Sequence, residues 1–471
     1  MKKLILVVIL AIFLPFSFKS NVSAKSDVLR VYNWEEYIDE GDDETNSMID
    51  DWITDYKERT GIEVEVVYDT FATNEVMLNN LKTGKTSYDL VCPSEYAIQK
   101  MIRNDMLDTF DYENGSYTYI DNYNNYGSPY LKALFVEENL SKYSVPYMWG
   151  TLGMIYNPEF VSESDVKHWD ILWDSNYNKR ATVKDSIRDT YVTGVYYTYF
   201  DEVMEYKEQY ESGLLSRDEY NNKLTEVMNR TDKDTIRQVQ NNLLDLRNNI
   251  YGFEVDNGKN DIATGRIWIN TAWSGDAVYS IEVAYEENET DLFYSIPEEG
   301  SNIFFDGWVM PKGANKELAQ DFVNFLCKPE NAARNMNYIG YTSSIAGNEI
   351  FELATEWYAA EEDGYAMDLT YFFDGTLDEE YLTDGKAIIY VETPGQFNAQ
   401  YPTEEQIARC CIMADFGDSY EDVLNLWKTV KSQGLPLHIS ITGLSLIVVG
   451  IVGFQVYKRT KKIRRLRQRL M

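Results

Sequence analysis

The chain has 471 residues, of which 44% are hydrophobic, more than one ordinary core holds, so two packed units are expected. Its 77 Asp and Glu against 43 Lys and Arg give a net charge of −34, a balance that repels nucleic acid and attracts cations. Two histidines and four scattered cysteines exclude a disulfide framework and leave little material for histidine-based catalysis.

The first segment reads as a leader. Lys2 and Lys3 precede an apolar run from Leu4 to Phe18, and Val22-Ser23-Ala24 has the small residues that signal peptidase accepts, so residues 1–24 are expected to be a signal peptide. No cysteine follows the run, which removes a lipid attachment point.

From residue 27 the pattern alternates strand and helix. VLRVYNW is a strand, SMIDDWITDYKERTG a helix closed by Gly61, and IEVEVVY a strand of period two. NEVMLNNLKTGK is helical, and YDLVCPS is a buried strand running into a loop. This alternation predicts α/β units with a mainly parallel sheet, whose ligands gather at the carboxyl ends of the strands, where Trp34 and Ser94 fall. A second set begins near SVPYMWGTLGMIYNP, and RATVKDSIRD gives a short strand, a loop and a helix start. Residues 201–250 are charged and contain helical stretches; GRIWINTAWSGDAVYSIEVA is a strand, a turn and a helix. NIFFDGWVMPKGANKELAQDFVNFLCKPE returns to a strand and then a helix ended before Pro329. The acidic, Tyr-rich stretch 351–392 has weak periodicity and yields no assignment.

The chain closes on an apolar stretch of 23 residues, Leu435 to Tyr457, about 35 Å long as a helix and sufficient to cross a bilayer. The tail KRTKKIRRLRQRLM carries eight cations and no acid, which places it in the cytoplasm by the positive-inside rule. Residues 435–457 are therefore expected to be a transmembrane helix, 458–471 a basic cytoplasmic tail, and the body an extracytoplasmic domain on the cell membrane. Without the three leader lysines and the eight tail cations, residues 25–434 keep 32 cations against all 77 acids, a net of −45.

Most of those acids only confer solubility; acids beside aromatic residues are the informative ones. RVYNWEEYID places Trp34, Glu35, Glu36 and Tyr37 where the first strand ends. An outward-facing pocket with carboxylate charge and Trp, Tyr and Phe walls suits an aliphatic cation: ammonium pairs with carboxylate, and rings supply cation–π attraction and an apolar wall for methylenes. No metal-ligand spacing, zinc motif or phosphate-cradling glycine loop is present, and DNYNNYG lacks the final acid of a calcium loop. Cys92 and Cys327 are expected to pack as small hydrophobes, and the adjacent Cys410 and Cys411 to remain unpaired with each other. His168 reads as a surface-loop residue, and His438 lies in the expected span.

VYNWEEYI, YDLVCPSEYAIQKM, VPYMWGTLGMIYN, DSIRD, NTAWSGDA, FFDGWVMPKGANK with FVNFL, and IGYTSS occur in that order and spacing between about residues 28 and 347. Together they resemble the spermidine/putrescine-binding proteins of polyamine ABC transporters. The resemblance implies an α/β fold of the type II periplasmic-binding-protein kind, with two discontinuous lobes closing across a hinge. The boundaries taken are 27–147 and 304–350 for the first lobe, 148–303 and 351–432 for the second. Carried over by motif, Trp34 and Tyr37 would be walls of a polyamine slot with Glu35 or Glu36 near its mouth, and Ser94 and Tyr96 would face the ligand. Asp189 would meet an amine, while Ser186 stands where some relatives have a second acid, which leaves Asp185 as a substitute. Trp273 would stack on the methylenes, Phe304 replaces a family Trp, Asp306 is the principal carboxylate, Tyr341 is another wall, and Met413 takes the place of a C-terminal glutamine.

Taken singly, these residues have plainer readings: Trp34, Trp273 and Phe304 as core rings, Asp306 as a turn former before Gly307, Ser94 as a helix N-cap. The function expected is a non-enzymatic receptor that needs no cofactor and delivers putrescine or spermidine to an ABC permease. Other readings are a membrane-anchored polyamine sensor, a binding protein for another cation or a sugar, and a glycosidase-like enzyme using paired carboxylates.

Overall fold

The structure, a computed structural model, describes residues 27–432 apart from 43, 85, 256 and 361–362. The expected leader and the expected span at 435–457 lie outside the described residues. Among the described residues, no helix is long and apolar enough to cross a membrane.

Strand β1, Asp27–Trp34, buries Leu29 and Val31 by the period of a half-covered strand. Helix α1, Met48–Thr60, starts where the Ser47 side chain accepts from the Asp50 N–H, and stops at Gly61, whose φ of 74° lets its N–H reach the Lys57 carbonyl. Strand β2, Val64–Phe71, pairs parallel with β1 from Asp27 opposite Val64 to Trp34 opposite Phe71. Helix α2 (Asn74–Thr83), strand β3 (Leu90–Val91) and helix α3 (Glu95–Arg103) complete this run. The α/β alternation read from the sequence is therefore present.

The centre of the sheet departs from the parallel expectation. The chain continues through β4 (Ser144–Tyr156), β5 (Ala181–Lys184), helix α4 (Ile187–Thr198), β6 (Gly252–Glu254), β7 (Ile269–Trp273), helix α5 (Ser274–Asn288) and β8 (Ser301–Pro311). The hydrogen-bonded order is β2-β1-β3-β8-β4-β7-β5-β6. The flanks are parallel, but β3–β8, β8–β4 and β4–β7 are antiparallel. The reason is length. β4 is buried along all 13 residues; its first part, Ser144 to Thr151, pairs with β8, and Leu152 to Tyr156 pair with β7. One strand thus serves both halves of the molecule.

Two buried clusters flank these strands. One gathers Leu29, Val31, Leu90, Phe305 and Trp308; the other gathers Leu152, Val183, Val195, Leu243 and Leu246. After β8 come helices α6 (Lys316–Leu326) and α7 (Pro329–Ile339), the second beginning at the proline that the sequence marks as a stop. The stretch that gave no periodicity takes in most of a helix, Asn348–Tyr358, and a small antiparallel pair, Tyr365–Asp368 with Ile388–Val391. Its Phe351, Phe372 and Phe373 join the first cluster, where Phe372 stacks on Trp149 of β4 at 5.4 Å. Val423, Leu426 and Val430 of the last described helix, Tyr420–Ser432, join the second. Side chains from 351–432 therefore lie in both clusters. All four cysteines are free and buried.

Candidate cation-binding site

Asp306 sits in the middle of β8, not in a turn, and is 5% exposed. What aims it is a fault in the ladder. Asp306 faces Met148 and Gly307 faces Pro146, so Tyr147 is an extra residue on β4, a bulge placed where proline cannot donate. Gly307 instead gives its N–H to the Pro93 carbonyl at 3.1 Å, which draws the loop after β3 over Asp306.

Three neutral donors converge on that carboxyl. Tyr37 donates its hydroxyl to Oδ2 at 2.8 Å, and Ser94 donates to Oδ1 at 2.7 Å. The buried Trp34 indole N–H, which has no full hydrogen bond of its own, also favours the charged form. Burial nevertheless dominates and pushes the Asp306 carboxyl up to about 6. Among the described residues no Lys or Arg pairs with it. Ser94 occupies the N-cap position of α3 yet makes no capping bond; its hydroxyl goes to Asp306 instead. Tyr37 is held by its backbone, its carbonyl accepting from the hydroxyl of Tyr147, the bulge residue, at 2.8 Å.

A wall of rings leads away from Asp306. Tyr37 meets Tyr341 edge-on at 5.1 Å, and Tyr341 lies 6.4 Å from Phe304. The Tyr341 hydroxyl donates to Asp276 Oδ1 at 3.1 Å. This packing needs Gly275, where a Cβ would fall inside the Tyr341 ring. Asp276 also accepts from Lys184 Nζ at 2.8 Å, and that ammonium lies 4.5 Å from the centre of the Trp273 ring. Burial pushes the Asp276 carboxyl up, but Lys184 and Lys259 outweigh it and hold it below the usual range. Asp189, in the first turn of α4, is pushed up by burial and partly brought back by Ser186 and Trp273. A chain of contacts therefore links Asp306, Tyr37, Tyr341, Asp276 and, through Lys184, Trp273 and Asp189.

Most of the expected residues belong to this chain of contacts; the others are placed as follows. Tyr96 accepts from Asn74 at 3.0 Å, and its ring packs on the Arg188 guanidinium at 4.8 Å. Ser186 is the true N-cap of α4. Glu35 and Glu36 are exposed in the turn after β1, Glu36 with φ of 51°, outside the buried cluster. Asp185 is paired with Lys431, and Met413 is packed in the second cluster. His168 is not a free surface histidine: it bonds the fully buried Glu299 at 3.1 Å.

Sequence reasoning missed Asn74, Lys184, Arg188 and Glu95. Asn74 is 3% exposed and fixes Ser94 twice, donating to its hydroxyl at 3.0 Å and accepting from its N–H at 3.2 Å. Arg188 lies between Tyr96 and Phe416, and burial lowers its affinity for a proton. The Glu95 carboxyl is raised well above its ordinary value by burial, and further by Asp306 and Asp189. Only the apolar neighbours of Lys184 in RATVKDS could have signalled a buried cation. A surface hollow of about 460 Å³ lies beside Tyr130, Tyr371, Asp368 and Lys386, but its lysine and aspartate already pair with each other.

The family model described as "Bacterial extracellular solute-binding protein" matches residues 51–363. The chain is 28% identical to the putrescine-binding periplasmic protein PotF of Escherichia coli over 331 residues, 69% of this chain and 79% of that one. It is 27% identical to the spermidine/putrescine-binding periplasmic protein of the same organism over 328 residues, 69% and 80% of the two chains. Among solved structures, the spermidine/putrescine ABC transporter substrate-binding protein PotD of Streptococcus pneumoniae superposes with a TM-score of 0.56 at 28% identity, over 86% of this chain and 99% of that one. The periplasmic-binding-protein fold expected from the motifs is therefore the fold of this chain. With sequence and fold in agreement, the chain belongs to the bacterial extracellular solute-binding proteins, an extracytoplasmic and non-enzymatic family.

Proposed function

We propose that this protein binds polyamines of the putrescine and spermidine class outside the cytoplasm and delivers them to an ABC permease. The observation that carries the reading is the charge state around Asp306. A buried carboxyl fed by three neutral donors, with no cation among the described residues, is stabilised by an ammonium that arrives from outside. Trp34, Tyr37, Phe304 and Tyr341 supply the wall against which methylenes pack, and Ser94 and Tyr37 orient the carboxylate. The names of the similar proteins support the same ligand class.

In this reading β4 and β8 are the hinge, because β4 pairs with strands of both halves and β8 joins it to β3. Closure seats Arg188 between Tyr96 and Phe416, and that closed surface is what a permease reads. The apolar stretch 435–457 and the basic tail tether the receptor to the membrane and raise its concentration near that partner.

Thermal unfolding of the full chain tests the proposal. Putrescine or spermidine at a hundredfold excess over Kd should stabilise it by about 2.7 kcal/mol. At the same amine concentration Asp306→Asn should cut the shift to below about 1 kcal/mol while leaving the circular dichroism of the free protein unchanged. No shift with either amine would end the reading.

A further inference from the structure

The far end of the ring wall already contains an ammonium. Lys184 is 1% exposed, donates to Asp276 Oδ2 at 2.8 Å and to the Val255 carbonyl at 2.7 Å, and has Glu254 3.6 Å away. Its backbone is fixed in β5, the N–H bound to Thr271 Oγ1 at 3.0 Å and the carbonyl accepting from Thr190 at 2.6 Å, and burial with the two bonds from Nζ holds the ammonium in place. Its charge lies over the Trp273 ring, the same ring whose indole N–H supports Asp189. A carboxylate, an aromatic face and an ammonium are the components of an amine subsite, and here the protein supplies all three.

A second ammonium on a ligand held at Asp306 would approach Asp276, Trp273 or Asp189 beside this fixed cation. Like charges brought together in a water-poor site repel, and Asp276, the carboxylate beside Lys184, is already paired. An uncharged nitrogen avoids the repulsion: an amide N–H can donate to Asp189 without bringing charge. Resting on the polyamine reading, we infer that Lys184 stands in for a ligand's second ammonium, so the site favours polyamines whose far nitrogen is uncharged, as in an N-acylated diamine, over free diamines.

Calorimetric titration of the full chain with putrescine and with N-acetylputrescine tests this. The wild type should bind N-acetylputrescine more tightly. Lys184→Met, which frees Asp276 Oδ2 while Lys259 and Tyr341 stay on Oδ1, should shift the ratio of the two affinities toward putrescine by tenfold or more. If that variant does not fold by circular dichroism, Lys184→Met with Asp276→Asn, which removes one charge of each sign, should still lose the wild-type discrimination against putrescine. An unchanged ratio in whichever variant folds, or a wild type that prefers putrescine, overturns the inference. Binding of neither amine by the wild type would instead overturn the polyamine reading on which it rests.

Discussion

Asp306 and Asp276 are the same residue type, almost equally buried at 5% and 6% exposure, and joined through the Tyr37–Tyr341 ring pair. Their electrostatics are opposite. Asp306 faces hydroxyls and an indole, and burial raises it to about 6; at Asp276 burial acts the same way, but Lys184 and Lys259 outweigh it and lower it. The depth of a carboxylate does not decide its role. What decides is whether the protein provides the countercharge or leaves it to a ligand. One end of the wall is completed by the fold, and the other lacks a cation.

The largest effect should come from neutralising the end that lacks its cation. Asp306→Asn keeps the shape and two acceptor or donor positions but removes the charge, and losing one member of a buried charge pair costs about 2–5 kcal/mol. Polyamine affinity should fall by roughly 30-fold to several thousandfold in calorimetry. An equal loss from Asp276→Asn with Asp306→Asn harmless would invert the comparison.

Acid should then separate the two carboxylates without mutation. Asp306 ionises in the folded protein at about 6, above its ordinary 3.8, so between those values the folded state binds more protons than the unfolded one. The contribution of this group to the stability of the free protein therefore falls as pH rises from about 4 through 6. Binding runs the other way, since an ammonium needs the charged form. Affinity should be flat above about pH 7 and weaken by up to tenfold per pH unit below 6. Asp276, held low by its lysines, adds no step in that window. A flat affinity profile from pH 5 to pH 7 would mean that Asp306 is not the titrating partner.

How much of this the sequence contained follows from the range of each signal. Local signals were sufficient for the elements: Ser47 and Gly61 bound α1, and Pro329 opens the helix after Leu326. Singly, Trp34, Ser94 and Asp306 read as a core ring, an N-cap and a turn former; the family resemblance grouped them with Tyr37, and in the structure Tyr37, Ser94 and Trp34 gather at Asp306. The antiparallel centre was not legible, since it depends on β4 pairing with β8, more than a hundred residues away. The bulge at Tyr147 is equally non-local, although Pro146 is in plain view. Residues 351–392 defeated periodicity because their elements are short and their buried rings, such as Phe372 on Trp149, pack across the fold. Lys184 was missed because a lysine in a strand reads as surface until its acid, 92 residues on, is brought beside it.

Two smaller perturbations sharpen the contrast between the ends. Gly275→Ala alters neither aspartate side chain, yet its methyl must displace the Tyr341 ring, and overpacking of this kind costs about 1–3 kcal/mol. The ring would leave Tyr37 and release its bond to Asp276, so polyamine binding should weaken by roughly tenfold with the circular dichroism preserved. Unaltered affinity would show that the ring wall is not a ligand surface.

Ser94→Ala should have the smallest effect on affinity and the most specific effect on pH. It removes the 2.7 Å donor to Asp306 Oδ1 but leaves Tyr37 on Oδ2, and a bound ammonium can replace the lost bond directly. Asn74 keeps Tyr96 as an acceptor, so the loop stays tied to α2. What changes is the free protein, where the charged carboxylate loses a donor worth about 1.4 kcal/mol, one pH unit of ionisation. The midpoint of the pH–affinity profile should therefore move up from about 6 by roughly one unit, while affinity at pH 8 stays within about threefold of wild type. A midpoint that does not move would show that Ser94 is an ordinary residue of the N-cap position and that its bond to Asp306 does not tune the carboxylate.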